Sequence, residues 1–327
     1  MFHRPVSRRA AMLAGGLVAL PRLAIAQAWP GRPIRLVVGF APGGSTDAVA
    51  RIVAAQLTAS LGKPVVVETR TGAAGNLATE MVVNAPPDGY TLLLSAGSQI
   101  VVSPHASATL SVDPVAQLAH AAMICEGEFL VVIPAQLPVR DVAEFVALTK
   151  RERGRMNYGS PGTGGILHIA GELFRLRTGA EIEAVHYRGT GPIITDMIAG
   201  QLQMTVASVS VAEPFLRDGK LRAILALSKQ RLPELPEVPS SGELGLADMD
   251  AVTLWLGLHA PRGTPDAILD RLNAVLAEGL RSEEMSQRLQ AAGLRPAVVP
   301  RADFVARIRS DHEIYGRIIR AANIRGE

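Results

Sequence analysis

The 327-residue chain has one cysteine, Cys125. No disulfide can close within it, and a cysteine-based metal site is not expected. Cys125 follows Ala121-Ala122-Met123-Ile124 and reads as a buried thiol. The seven histidines are dispersed, and none pairs with another at metal-ligand spacing. No Gly-Lys-Ser/Thr follows a glycine loop, which removes a P-loop. Gly162-Thr163-Gly164-Gly165-Ile166-Leu167 lacks the third glycine of a dinucleotide fingerprint. Gly43-Gly44-Ser45-Thr46-Asp47 falls one glycine short of a nucleophile elbow. No nucleophile has a base beside it in sequence, although partners distant in sequence stay open. Neither cofactor nor metal is expected, and catalysis has no visible centre.

Acidic residues are missing from the first 28 positions, which contain Arg4, Arg8, Arg9 and Arg22. Ala10 to Leu20 is apolar but too short to span a bilayer. Small residues follow in Ala24-Ile25-Ala26 and Ala26-Gln27-Ala28. This is the layout of an export signal cut near Ala26 or Ala28. Ser7-Arg8-Arg9 resembles a twin-arginine signal, with Ala11 where an aromatic is usual. No cysteine follows the apolar stretch, which argues against a lipid anchor. Export to the periplasm is expected, with both common routes open. Taking the four leader arginines off the net charge of +3 leaves about −1 for residues 29–327. Nucleic acid therefore has no electrostatic claim on the chain. No later apolar run reaches membrane-spanning length, so no stable membrane insertion is expected. With 48% hydrophobic residues, a full core is available.

What the chain has instead is a recurring strand, glycine turn and helix. Ile34 to Phe40 is an apolar run that enters Pro42-Gly43-Gly44-Ser45-Thr46-Asp47. Val49, Val53, Leu57 and Leu61 then mark one buried face of a helix over 46–61, with Ser45 or Thr46 as its cap. Gly62 and Pro64 stop it. Val65–Glu68 leads to Gly72-Ala73-Ala74-Gly75-Asn76 and a helix over 77–84. Thr91–Leu94 ends at Ser95-Ala96-Gly97-Ser98. After the apolar strand Phe129–Ile133 the series restarts. Met156–Ser160 leads to Pro161-Gly162-Thr163-Gly164-Gly165, and Ala184–Tyr187 leads to Arg188-Gly189-Thr190-Gly191. Leu202–Val209 is a further strand, with Ser208 at its end. Val252–His259 resembles Phe129–Pro134 in character, and the two are read as the crossings between lobes. Helices are expected over 266–280, 285–292 and 301–321.

This alternation predicts an α/β chain of two lobes, each a parallel-rich sheet flanked by helices, with two crossing strands as hinge. The expected division is residues 1–28 as signal, 29–131 with 252–327 as the first lobe, and 132–251 as the second. Ligands of open parallel sheets sit beyond the carboxyl ends of the strands, where all four glycine turns fall. Helix N-termini there offer amides with partial positive charge. A cleft lined by such amides and small hydroxyls suits a small carboxylate. Arg188 is the one cation placed to assist it, and its alternative is an ion pair within its own lobe. His168 could orient the third turn. His186, one residue before Tyr187, could face either cleft or core.

With these residues in place, the chain resembles the substrate-binding proteins of the tripartite tricarboxylate transporters, also called Bug receptors. The likeness runs through Trp29-Pro-Gly-Arg-Pro-Ile-Arg-Leu-Val-Val, Pro42–Asp47, Gly75-Asn76 and Ala85-Pro-Pro-Asp-Gly-Tyr-Thr-Leu92. It continues in Asn157-Tyr158, His168-Ile-Ala-Gly-Glu-Leu-Phe174, Tyr187-Arg188-Gly189, Gly219-Lys-Leu-Arg222 and Ala260-Pro-Arg-Gly-Thr-Pro265. The resemblance implies a two-lobed periplasmic receptor that closes on a small organic acid and hands it to a large and a small membrane subunit. It implies carboxylate contacts at Pro42, Gly43, Gly44, Ser45, Thr46 and Asp47, and at Ser95, Ala96, Gly97 and Ser98. In the second lobe it points to Ser160, Gly162, Thr163, Gly164 and Gly165. His168, Tyr187, Arg188 and Ser208 complete the expected ligand-binding set.

Two departures from the family pattern stand out. Ala207 and Ser208 occupy positions where the family usually has Asp-Asn or a similar pair. Gly164-Gly165 stands where Gly-Thr is usual. Both imply a ligand whose far end is less basic and bulkier or more apolar. Two other functions stay open at this point: an exported α/β enzyme, and a ligand sensor that presents its closed form to a kinase.

Overall fold

The computed structural model describes residues 29–327, except 41, 43, 44, 108, 109, 188, 323 and 325–327. The expected export signal lies outside the described residues. Two sheets carry the fold. The first contains β1 (Ile34–Val38), β2 (Val65–Thr69), β3 (Thr91–Ala96) and β4 (Leu118–Gly127). The second contains β5 (Phe129–Pro134), β6 (Asn157–Ser160), β7 (Glu183–His186), β8 (Met204–Ser208) and β9 (Leu221–Ala226). The chain then returns to the first sheet with β10 (Leu254–Pro261) and β11 (Arg295–Pro296). The strand orders are β11-β4-β10-β3-β1-β2 and β7-β6-β8-β5-β9.

Both sheets are mixed rather than parallel-rich. β1 is parallel to β2 and β3, and β6 is parallel to β7 and β8, because a helix returns the chain between them. β10 runs antiparallel to β3 and β4, and β5 antiparallel to β8 and β9. β5 follows β4 with one residue between them and β10 returns from the second lobe, so no βαβ crossover sets their direction. The two strands read as crossings each belong wholly to one sheet. The chain changes lobe at Glu128, between β4 and β5, and again in the segment ahead of Leu254.

The helix Ser45–Leu61 shows why the periodicity was readable. Val49, Val53 and Leu57 are fully buried at four-residue spacing, and Gly62 ends the helix with φ +68°. It begins at Ser45, so Ser45 and Thr46 are its first residues and the cap position precedes them. Helices Asp266–Leu280 and Arg301–Ala321 have the expected bounds. The strand Leu118–Gly127, the helix Val209–Arg217 and the helical stretch Ser98–Ala106 were not anticipated. Helix Arg301–Ala321 joins the two halves. Its Phe304, Ile308 and Tyr315 enter the same buried cluster as Val37 of the first sheet and Tyr158 of the second.

Candidate functional site

A cavity of about 540 Å³ opens between the lobes. The first lobe contributes Phe40 from the entry to the first turn and Ala73, Ala74 and Asn76 from the second turn. It adds Ser98, Val102, Ser103, Ala106 and Ser107 from the helical stretch after β3. The second lobe contributes Pro161 to His168, the third glycine turn and the first helical residues after it. None of these lining residues carries a formal charge other than through His168.

Two helix N-termini meet here from opposite lobes. Helix Asn76–Val83 has Gly75 at its cap, and helix Ile166–Thr178 has Gly165; neither cap makes a side-chain hydrogen bond. The Asn76 N–H donates to Ala73 O, and the other first-turn amides are open to a guest or to water. The second turn is held in an unusual shape. Ala73 and Ala74 have φ of 47° and 55°, a left-handed conformation that alanine rarely adopts. Gln99 fixes it from below: its Nε2 donates to Gly75 O at 3.0 Å and its Oε1 accepts from Ala96 N at 3.0 Å. A Cβ on Gly75 would lie 2.4 Å from that amide, so only glycine fits. Residues Ser98–Val102 are wound with an i→i+5 bond, Ser103 N to Ser98 O, a widened turn of the kind found at binding sites.

His168 shapes the opposite wall. Its Nδ1 accepts the Gly164 N–H at 3.0 Å, which places the ring proton on Nε2. Burial, aided by neighbouring His186, holds the imidazole below its usual range, against the opposing pull of Glu172. The ring packs edge-on to His186 at 4.7 Å and stacks on Tyr158 at 6.5 Å. Tyr158 Oη donates to Glu172 Oε1 at 2.8 Å, and Arg175 pairs with the same carboxylate at 2.7 Å. Buried polar atoms near the cleft also lack partners. Asn76 is 3% exposed with Oδ1 unpartnered, and Ser95 is fully buried with Oγ unpartnered.

The expected site residues divide into several groups. Ser98, Gly162, Thr163, Gly164, Gly165 and His168 line the cavity together. The Gly164 amide is taken by His168. Ser160 is fully buried, and its hydroxyl closes the third turn by donating to Gly162 O at 2.9 Å. Pro42 is exposed, Thr46 is buried, and Asp47 is buried and pairs with Arg51 at 3.0 Å. Ala96 is buried, and Gly97 lies against Trp255. The Tyr187 hydroxyl donates to Asp196 at 2.6 Å, away from the lining. Ser208 shares a 3.2 Å hydrogen bond with Ser210, which faces a different pocket. Gly43, Gly44 and Arg188 lie outside the described residues, as does the side chain of Ser45. Sequence reasoning did not single out Gln99, Asn76 or Phe40 as site residues. Asn76 alone left a signal, being the residue directly after a glycine turn.

Residues 49–324 match the family model described as the tripartite tricarboxylate transporter family receptor. The protein BugT of Bordetella pertussis is 34% identical over 274 residues, covering 84% of each chain. A Rhodopseudomonas palustris protein solved with adipate, Rpa4515, is similar with a TM-score of 0.77 and 29% identity, over 91% of this chain and 100% of that one. MatC from the same species, solved with bound malate, has a TM-score of 0.72 and 29% identity, over 89% and 99%.

Proposed function

This chain belongs to the tripartite tricarboxylate transporter receptor family, and from that premise we propose that it captures a small organic carboxylate between its lobes and delivers it to membrane transporter subunits. The observation that carries the reading is the meeting of two glycine-capped helix N-termini, from opposite lobes, on one cavity with no acidic lining residue among those described. Such amides bind a carboxylate without a buried cation. Neutral His168 adds an Nε2–H donor on the same wall. Asn76 Oδ1 would accept from a hydroxyl of the guest or from water. Phe40, Val102, Ile166 and Leu167 supply apolar wall for the rest of the guest. The expected contacts at Ser98 and Gly162–Gly165 fit this reading directly. Those at Tyr187 and Ser208 would require a guest that reaches beyond the cavity, or lobes closed further than here.

The chain is a receptor by family, and the site gives catalysis little to work with. His168 Nδ1 is occupied by an amide rather than by a hydroxyl, so it activates no nucleophile in this arrangement. Among the described residues no helix is long and apolar enough to cross a membrane. Export of the chain to the periplasm accords with the leader-like N-terminus and with the family.

Adipate, malate and a series of aliphatic and aromatic monocarboxylates should be screened by thermal shift. A binder at about 100 times its Kd raises stability by about 2.7 kcal/mol. Asn76→Asp then tests the site. It places a negative charge at the first turn of a helix, which favours it, but at a 3% exposed position where desolvation costs more, so the protein should lose some stability yet stay folded. It should nonetheless weaken carboxylate binding by at least about tenfold through like-charge repulsion. Undiminished binding by Asn76→Asp would move the guest out of this cavity.

A further inference from the structure

The lobes are joined at two places, and one side chain reaches the first-lobe end of both. Arg307 projects from helix Arg301–Ala321. Its Nη1 donates to Glu126 Oε2 at 2.9 Å, one residue before the end of β4. Its Nη2 donates to Thr253 Oγ1 at 2.6 Å, immediately ahead of β10. Its Nε lies 3.6 Å from Asp311 Oδ2, and that carboxylate oxygen accepts the Trp255 indole N–H at 3.0 Å. The Trp255 ring is in turn pressed on the loop at the cleft. A Cβ on Gly97 would lie 2.4 Å from it, and the next residue, Ser98, lines the cavity.

We propose that Arg307 is a positioning residue for lobe closure, pinning the first-lobe ends of both interlobe connections and linking them through Asp311 and Trp255 to the cleft loop. The proposal rests on the receptor reading, in which the lobes move about those connections. Its physical basis is the planar fork of the guanidinium. Two of its nitrogens bond groups on different chain segments at a fixed spacing, so Glu126 and Thr253 cannot separate without breaking a charge-assisted bond. Bending is then confined to Gly127–Glu128 on one connection and to residues before Thr253 on the other. Lysine has a single nitrogen and cannot hold both groups in that plane. The same helix also touches the second connection further back. Tyr315 Oη donates to Ala251 O at 3.3 Å, and Asp248 lies between Arg317 (3.7 Å) and Arg177 of the second lobe (2.7 Å). Arg307 adds a side-chain link to the β4–β10 ladder, which already pairs Glu126 with Trp255 and Gly127 with Leu254.

The test measures lobe geometry directly. Spin labels are placed at Ala55→Cys and Gln201→Cys, both exposed and one on each lobe; Cys125 is fully buried and stays unlabelled. Interlobe distances are then recorded by double electron–electron resonance without ligand. Arg307→Met should raise the minor conformer about tenfold and broaden the distribution. Arg307→Lys should fall between Met and wild type, and Thr253→Val should shift the distribution in the same direction by less. Coincident distributions for Arg307→Met and wild type would overturn the proposal, even if the melting temperature falls. Should Arg307→Met fail to fold, Thr253→Val decides in the same way. The comparison is made ligand-free, so it judges Arg307 separately from whether any acid binds the cleft.

Discussion

The wall of the cleft and the hinge behind it handle polar groups in opposite ways. Among the described lining residues the cleft has no acid, arginine or lysine, and it leaves Asn76 Oδ1 buried without a donor. The hinge gathers Glu126, Glu128, Arg295, Arg307 and Asp311, and gives each an opposite charge. Arg295 pairs with Glu128, Arg307 with Glu126 at 2.9 Å, and Asp311 with both Arg307 and the Trp255 indole. Burial pushes the carboxyls of Glu128 and Asp311 up, and their arginines pull them back down. A buried charge without a partner is costly, so the hinge is saturated. A binding site that satisfied all its own groups would have nothing to offer a guest, so the cleft is not. Under the proposed function, satisfied polar groups hold the shape, and spare ones are left for recognition.

Gly97→Ala attacks the contact between these regions and should have the largest effect. The added methyl would meet the Trp255 ring at 2.4 Å, and that ring is 1% exposed, with its N–H held by Asp311. A rigid buried ring has nowhere to go, and overpacking of this kind costs about 3 kcal/mol. A urea midpoint lowered at unchanged slope would confirm that cost. If cleft and hinge were independent, the variant would bind its acid normally once folded. Weakened binding as well would show that Trp255 serves both.

Acid acts with opposite sign on the buried histidines, of which only His168 lines the cleft, and on the hinge carboxyls. His105, His120, His168 and His259 all have their imidazoles pushed below the ordinary value, chiefly by burial, His120 to about 4. Their stabilising contribution is present above about pH 6.5 and is lost as the pH falls. His120, whose Nδ1 lies 2.8 Å from that of His259, should by itself account for a loss of about 2 kcal/mol between pH 7.5 and 5. Glu128 and Asp311 at the hinge are shifted upward, so their protonation favours the folded state and offsets part of that loss at the acid end. Urea midpoints taken across this range should fall steeply and then flatten. His120→Gln should remove a clear part of the slope, fully buried His259 accounting for a comparable part, and a slope it leaves intact would place the sensitivity elsewhere.

The two regions also differ in how much of them could be read from sequence. Clustered glycines between an apolar run and a helical pattern mark a turn, so the turns around Gly75 and Gly165 were visible before any fold was known. The long helices at 266–280 and 301–321 were visible through their apolar spacing. Which turns converge was not visible, because that depends on the sheet order. The cleft draws on the second and third turns, while Tyr187 and Ser208 turn to other partners. β4 escaped notice because Leu-Ala-His-Ala-Ala-Met-Ile-Cys has one β-branched residue and no alternation, as expected of a strand buried on both faces. Helix Val209–Arg217 was hidden by Pro214 within it. Gln99 gave no signal, since a buried glutamine that braces a loop has no local pattern. The hinge network links positions 126, 253 and 255 to the i,i+4 pair 307 and 311, and no spacing rule connects segments that far apart.

The smallest expected effect concerns the strain at Ala73 and Ala74. Both line the cavity in a left-handed conformation that costs an L-residue about 1 kcal/mol or more. Ala73→Gly removes that cost but gives the unfolded chain more freedom, which offsets roughly 0.4 to 1 kcal/mol of the gain. The ligand-free protein should therefore become more stable by only about 0.5 kcal/mol. Binding should move the other way. Gln99 and the left-handed alanines together hold the turn in one shape before the guest arrives, and a looser turn must be ordered at the moment of binding. A calorimetric titration should then show a modestly weaker affinity with a less favourable entropy. An Ala73→Gly variant that bound as tightly as the parent would mean that Gln99 already does all the ordering. The strained alanines would then be a by-product of the close packing at Gly75 rather than part of the binding surface.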